Sequence, residues 1–393
     1  MAQYALGIAA LAALLVGCGG SQAAVGTPSS VPPSTDHAQK SSTRSAGRLS
    51  STLHYLYVTN HSSLNVSAFA INASSGALKK VQGSPFAASY YPEGEAIDPV
   101  GAFMYVVDGG TRIGRGDAVS AYVINTQSGA LSQVQGSPFA AGAQPTKVAI
   151  DPTGKFAYVA NYVSSDISAY AINASSGALT QVKGSPFAGG NGTNGVAIDP
   201  TGAFLYADNF WSSNVSAYTI NASSGALTQL KGSPFGAGST PSDVAVDPSG
   251  KFSYVTNYNS NNVSAYAINA KSGALTQVKG SPFAAGSQPN RVAIDPTGAF
   301  VYVTNYRSKN VSAYALNTTS GALTQVPGSP FATGYSPTAV AVDPTGEFAY
   351  VANNRGHRGR VSAFAINASS GALTQVRGSP FKADRTSLDV VVR

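Results

Sequence analysis

The chain is poor in the residues from which most catalytic and metal sites are assembled. Its 393 residues include one cysteine, four histidines, one tryptophan and two methionines. A single thiol, Cys18, excludes intramolecular disulfides and thiolate metal sites. Charged residues make up only 10% of the sequence, which leaves little material for exposed helices. The net charge of +7 is not spread over the chain. Residues 349–393 carry seven basic and two acidic side chains, so five of those charges sit in the last stretch. Basicity this local is a poor basis for nucleic-acid binding. Glycine, tyrosine and phenylalanine, by contrast, are plentiful, at 42, 20 and 16 residues. That composition suits short strands joined by tight turns.

The only long apolar run is at the start. Ala5 to Val16 reads as the core of an export signal, too short for a membrane span. Leu15-Val16-Gly17-Cys18 resembles the bacterial lipobox, in which the cysteine is lipidated, although no Lys or Arg precedes the apolar run. Residues 1–18 are therefore expected to be a lipoprotein-type signal peptide with Cys18 as the lipid attachment point. Gly19 after it is similar to the sorting pattern of outer-membrane lipoproteins, so a cell-envelope location and a membrane partner through this anchor are expected. Residues 19–52 are rich in Ser, Thr, Ala and Pro and cannot bury a core, which predicts a disordered tether.

From residue 53 to 393 one sentence repeats. Tyr-Val-x-Asn or a close variant recurs seven times, near Leu56, Met104, Ala157, Leu205, Ser253, Val301 and Ala349, most often 48 residues apart. In the third copy, Phe156–Asn161 and Ile167–Asn173 alternate like strands, Ala178–Val182 is a shorter and more polar edge, and Lys147–Asp151 is a fourth strand. Asp151-Pro-Thr-Gly154 and Asn173-Ala-Ser-Ser-Gly177 carry turn chemistry. Seven copies of four short strands predict an all-β, seven-bladed propeller. The folded part opens on a second strand (54–60) and closes on an innermost-type strand (388–392), so the last strand is expected to pair with that at Tyr57 and shut the ring.

The motifs Tyr57-Val58-Thr59-Asn60, Tyr254 to Asn257 and Tyr302 to Asn305, with the Asp-Pro-Thr-Gly and Ser-Gly-Ala-Leu turns, resemble the YVTN-repeat, lactonase-type propeller family. That family groups 6-phosphogluconolactonase-like and carboxymuconate cyclase-like proteins. The resemblance implies the fold. It supplies no catalytic motif, because the matching residues are strands and turns.

Chemistry must lie where the repeats disagree. The template contains neither His nor Glu, and its regular acid (Asp98, Asp151, Asp199, Asp247, Asp295, Asp343) reads as a turn-former, not a metal ring. No zinc spacing, P-loop or nucleophile elbow is present, and no cofactor or metal is expected. Three departures are predicted to share one sector of one face. They are an insertion carrying Arg112 and Arg115, an insertion carrying Arg355, His357, Arg358 and Arg360, and the stretch Glu93-Gly94-Glu95, where Glu95 replaces a template valine. His61 occupies the corresponding loop of the first repeat. Two readings stand: drift of atypical terminal repeats, or an anion pocket near the channel mouth. In the second, the arginines, His61 and Glu93 bind a carboxylate or phosphate, and Glu95 or His357 is the catalytic base. A row of aromatics, Tyr162, Phe210, Trp211, Tyr258 and Tyr306, offers stacking surface for sugars or a protein, or else packs between blades. The expectation is a monomeric, lipid-anchored binding or scaffold disc for an anionic sugar, an envelope polymer or a protein. The alternative is a lactonase-like hydrolase or cyclase acting on an acidic sugar lactone.

Overall fold

The turns show how this sequence becomes blades. In the computed structural model, which describes residues 54–110, 116–354 and 358–393, Asp151 Oδ1 accepts from the Phe156 amide at 2.7 Å and Oδ2 from the Thr153 amide at 3.1 Å. Gly154 follows with φ +70°, a conformation an L side chain resists. The five equivalent aspartates accept in the same way from Phe103, Phe204, Phe252, Phe300 and Phe348. The repeated acid is thus a turn residue. In the next turn Asn173 Oδ1 accepts from the amides of Ser175 and Ser176. The asparagine of Tyr-Val-x-Asn also acts locally. Asn60 Nδ2 donates to Asn65 Oδ1 and Ser67 Oγ, both at 2.9 Å, and so ties the second strand to the third.

Each of the seven sheets runs outward from an innermost strand. In the third blade the strands are Pro145–Ile150, Phe156–Asn161, Asp166–Ile172 and Leu179–Gln181. A two-residue strand, Phe187–Ala188, also pairs with the third strand. That fifth piece was not anticipated, because two residues carry no periodicity. The ring closes as expected: Ser387–Val392 pairs antiparallel with Tyr55–Asn60, with Val390 opposite Val58.

Hydrophobic burial lies between blades. One core joins Tyr105, Val107 and Val119 of the second blade to Val148, Val159 and Tyr170 of the third. The seam is built alike, from Tyr350 and Val361 of the seventh blade with Leu56, Val58 and Val390 of the first. A buried tyrosine on each second strand also donates to a turn glycine carbonyl of the next blade, from Tyr57 to Gly129 at 3.0 Å round to Tyr350 to Gly76 at 3.1 Å. Each such bond contributes about 1 kcal/mol and fixes the angle between neighbours.

Candidate functional site

With the blades fixed, the innermost strands project one variable side chain each toward the axis. The residue before the template valine is Asp389, Gly94, Lys147, Gly195, Asp243, Arg291 and Ala339, taken from the first blade to the seventh. Residues from non-adjacent blades meet there. Lys147 Nζ lies 3.3 Å from Asp243 Oδ1 and 4.0 Å from Asp389 Oδ2. Asp243 Oδ2 also accepts from the Val292 amide at 3.1 Å. Arg291 Nη1 donates to the Ser242 carbonyl at 2.8 Å, while its Nε is buried without a partner.

Two glycines make room for acids. A Cβ at Gly195 would stand 2.2 Å from Asp208 Oδ1 and 3.3 Å from Asp243 Oδ1, so the missing side chain admits the Asp208 carboxylate. Likewise a Cβ at Gly109 would lie 2.6 Å from Glu93 Oε1. Burial, with Asp243 nearby, pushes Asp208 up to about 7 against the pull of Arg291 and Lys147. Burial raises Glu93 to about 7, with Arg291 opposing and Asp389 adding to the shift. Glu95 is 5% exposed and both its oxygens lack a hydrogen-bond partner. Burial and the Asp389 charge push it well above the carboxylate range, outweighing Thr59 and Lys147. Asp108, which stands where other blades have the hairpin asparagine, is raised to about 7 by burial despite a 2.7 Å bond from Ser120.

The axis opens into a pocket of about 190 Å³, whose lining includes Glu93, Asn194, Phe210, Tyr258, Arg291 and Asp389. His61 Nε2 approaches Glu93 Oε1 at 3.9 Å, ion-pair range when the imidazole is protonated. Its ring stacks on Tyr91 at 4.7 Å between centroids. Burial lowers the His61 pKa, so neutral imidazole is favoured near pH 7.

The structure therefore brings Glu93 and His61 together at the mouth and places Glu95 on the same innermost strand, within the electrostatic reach of Asp389 and Lys147. Arg358 and Arg360 are elsewhere. They line a different pocket that shares no residue with the mouth, so the expected arginine-lined channel mouth is corrected: its guanidinium is that of Arg291. Cys18, Arg112, Arg115, Arg355 and His357 lie outside the described residues, as do residues 1–53. The aromatic row divides. Tyr162, Phe210 and Trp211 form one cluster, with centroids 4.8–6.2 Å apart, and Trp211 is 60% exposed. Phe210 and Tyr258 line the mouth, and the Tyr258 hydroxyl donates to Gln288 Oε1. The Tyr258 phenol is raised by burial and by the neighbouring Tyr306. Sequence reasoning missed Lys147, Asp208, Asp243, Arg291 and Asp389. A signal existed: four of them occupy the one inner-strand position that changes charge from repeat to repeat.

The chain matches the family model described as a lactonase with a seven-bladed β-propeller over residues 21–142, 118–239 and 232–331. No curated protein matches at the sequence level. Among solved structures, a candidate 6-phosphogluconolactonase from Bacteroides uniformis superposes with a TM-score of 0.76 at 19% identity, covering 87% of this chain and 100% of that one. A second candidate, from Bacteroides fragilis, gives 0.76 at 21%, covering 88% and 100%. The periplasmic gluconolactonase of Pseudomonas aeruginosa gives 0.72 at 22%, covering 86% and 99%. At such identities the likeness is one of fold.

Proposed function

Because the chain belongs to the lactonase family of seven-bladed β-propellers, we propose that it hydrolyses a small, uncharged sugar lactone at the channel mouth. The observation that carries this reading is the mouth itself, where Arg291 and Glu93 line one pocket with Asn194 and Asn290. At about 190 Å³ it is smaller than the roughly 300–1,000 Å³ of pockets that take drug-sized ligands. A single sugar ring suits it, and the half-buried Phe210 in the lining gives that ring an apolar surface to lie on.

Charge decides the substrate class. Two cations, Lys147 and Arg291, face five acids, of which Glu93 and Asp208 are only partly ionised near pH 7 and Glu95 is held protonated by burial, so the negative excess of the wall is small. An acidic or phosphorylated lactone would meet a net negative wall, while a neutral lactone would not. Hydrolysis turns that neutral ring into an anion, which the same wall repels, so the lining favours product release. On this ground we read the substrate as an uncharged lactone, where the sequence alone led to an acidic one.

In the proposed reaction the Arg291 guanidinium donates to the lactone carbonyl and stabilises the oxyanion of the tetrahedral intermediate. Glu93, whose pKa near 7 leaves about half of it ionised at neutral pH, takes a proton from the attacking water. The carbon–ring-oxygen bond then breaks, Glu93 returns the proton to the departing alkoxide, and a hydroxy-acid forms.

Acid release from D-glucono-δ-lactone, followed with an indicator dye above the spontaneous rate, tests the reading. The wild type should accelerate hydrolysis with a kcat/KM that rises through pH 7. Glu93→Gln should abolish that limb and Arg291→Met should lower kcat by about 100-fold or more. If the wild type leaves the hydrolysis of uncharged aldonolactones at the background rate, the proposal is wrong.

A further inference from the structure

A second and larger pocket, of about 450 Å³, is lined by Arg358, Gly359, Arg360, Lys382, Ala383, Asp384 and Arg385. It sits where the start of the third strand of the seventh blade meets its short fifth strand and the connection into the closing strand. Register explains why it is unusual. In six blades the pair at this point is Asn65–Ala87, Ala118–Ala140, Asp166–Ala188, Asn214–Gly236, Asn262–Ala284 or Asn310–Ala332. In the seventh it is Arg360–Lys382. Two cations directly opposite on neighbouring strands repel each other, and Arg358 and Arg385 add to the same lining.

Among the described residues, no carboxylate lies within ion-pair distance of these four side chains. Asp384, the one acid in the lining, is already engaged: its Oδ2 accepts from Asn65 Nδ2 at 3.0 Å and its Oδ1 from the Arg385 amide at 2.9 Å. Arg360 spends one Nη1 bond on the Pro380 carbonyl at 3.3 Å and keeps further donors for a ligand. Among the described residues, the blade carries this cross-strand repulsion without an acidic partner for it.

We propose that this pocket is a binding site for a phosphomonoester, separate from the channel. Three guanidinium forks and one ammonium match a dianion with three acceptor oxygens, and the net charge of the lining is +3. The volume falls within the range for small-molecule sites, so it holds the phosphoryl group and the small organic body that carries it. The phosphomonoester is either free in solution or displayed on a lipid headgroup.

The test is calorimetric titration of the full chain with inorganic phosphate, against chloride at matched ionic strength. The wild type should bind phosphate, and Arg360→Asn with Lys382→Ala, which restores the pair found in other blades, should weaken binding at least tenfold. The same double variant should melt at or above the wild-type temperature in phosphate-free, low-salt buffer, because the repulsion is gone. This separates loss of a ligand from loss of the fold. Lactone hydrolysis should be unaffected. Vesicles of phosphatidylcholine with one-fifth phosphatidic acid distinguish the sources: co-flotation of the wild type but not the double variant supports a headgroup, and phosphate binding without flotation supports a soluble ester. Phosphate affinity that is absent in the wild type, or equal in the double variant, overturns the assignment.

Discussion

Glu95→Val asks whether the buried acid is a burden that the fold carries. The six equivalent positions, Val148, Val196, Val244, Val292, Val340 and Val390, are valines only 2–7% exposed, so the site is shaped for that side chain. Glu95 places two unpartnered oxygens in the same space. The Thr59 hydroxyl, which neighbours Glu95, gives its proton to the Glu93 carbonyl at 2.5 Å. Leaving a buried polar group unsatisfied costs about 1–3 kcal/mol, which sets the expected gain from the substitution. The gain should also depend on pH. A carboxyl whose folded pKa is raised contributes its relative stability below the unfolded value and loses it as pH rises through the folded value. The wild type alone suffers this loss, so the advantage of the variant grows with pH, by at most about 1.4 kcal/mol per unit. Urea unfolding of both proteins at pH 5 and pH 8 measures it, with the m-value as a check that the unfolded states are alike. A variant no more stable than the wild type at pH 8, or with a larger advantage at pH 5, would refute the reasoning.

Deleting residues 388–393 should remove the innermost strand of one blade and uncover the edge at Tyr57. Buried valines contribute about 1.5–3 kcal/mol each, and Val390 is 5% exposed, so aggregation or a melting point at least about 5 °C lower is expected; a truncated chain that melts like the intact one would contradict the pairing. In the whole protein, Glu93, Asp108 and Asp208 each hold a pKa raised to about 7. The folded state therefore binds more protons than the unfolded chain between about pH 4 and pH 7, and thermal stability should fall from pH 5 to pH 8. The lowered pKa of His61 acts in the opposite sense, but for one group against three. A melting temperature that rises across that interval would show that these acids are not desolvated.

How far the sequence could be read follows from what repetition reveals. Strand order, turn chemistry and ring closure were legible because the same signals occur up to seven times. The pairing of Ser387–Val392 with Tyr55–Asn60 followed from register alone. Glu93, Glu95 and His61 were found as departures from the template, and the first and last do meet. Lys147 and Asp243 were harder to see. They are two blades apart, and their 3.3 Å contact crosses the axis, which no linear spacing expresses. Asp208 was hidden for another reason: its entry depends on what Gly195 lacks, and an absent side chain in one strand gives no signal in the next. The arginines near the C-terminus were grouped by charge, and the two that are described, Arg358 and Arg360, line a pocket that shares no residue with the mouth. Adjacency around a ring does not distinguish its hub from its rim.

The closing strand has a consequence for how the chain is threaded. Arg393 donates its amide to the Tyr55 carbonyl at 2.9 Å, and its own carbonyl lies 3.0 Å from His54 Nδ1. The two ends of the described ring are therefore neighbours within the first blade, and that blade meets the seventh through the same tyrosine-to-glycine bond as every other blade boundary. The ring is topologically a circle cut once, and the place of the cut is incidental. Splicing Arg393 to His54 through a short linker and reopening the chain at the exposed loop around Val163, between a second and a third strand, leaves every tyrosine-to-glycine bond in place. What such a circular permutation cannot alter is the cyclic order Asp389, Gly94, Lys147, Gly195, Asp243, Arg291, Ala339 around the axis. The hub reads its charges by blade neighbour and is indifferent to which residue the ribosome makes first.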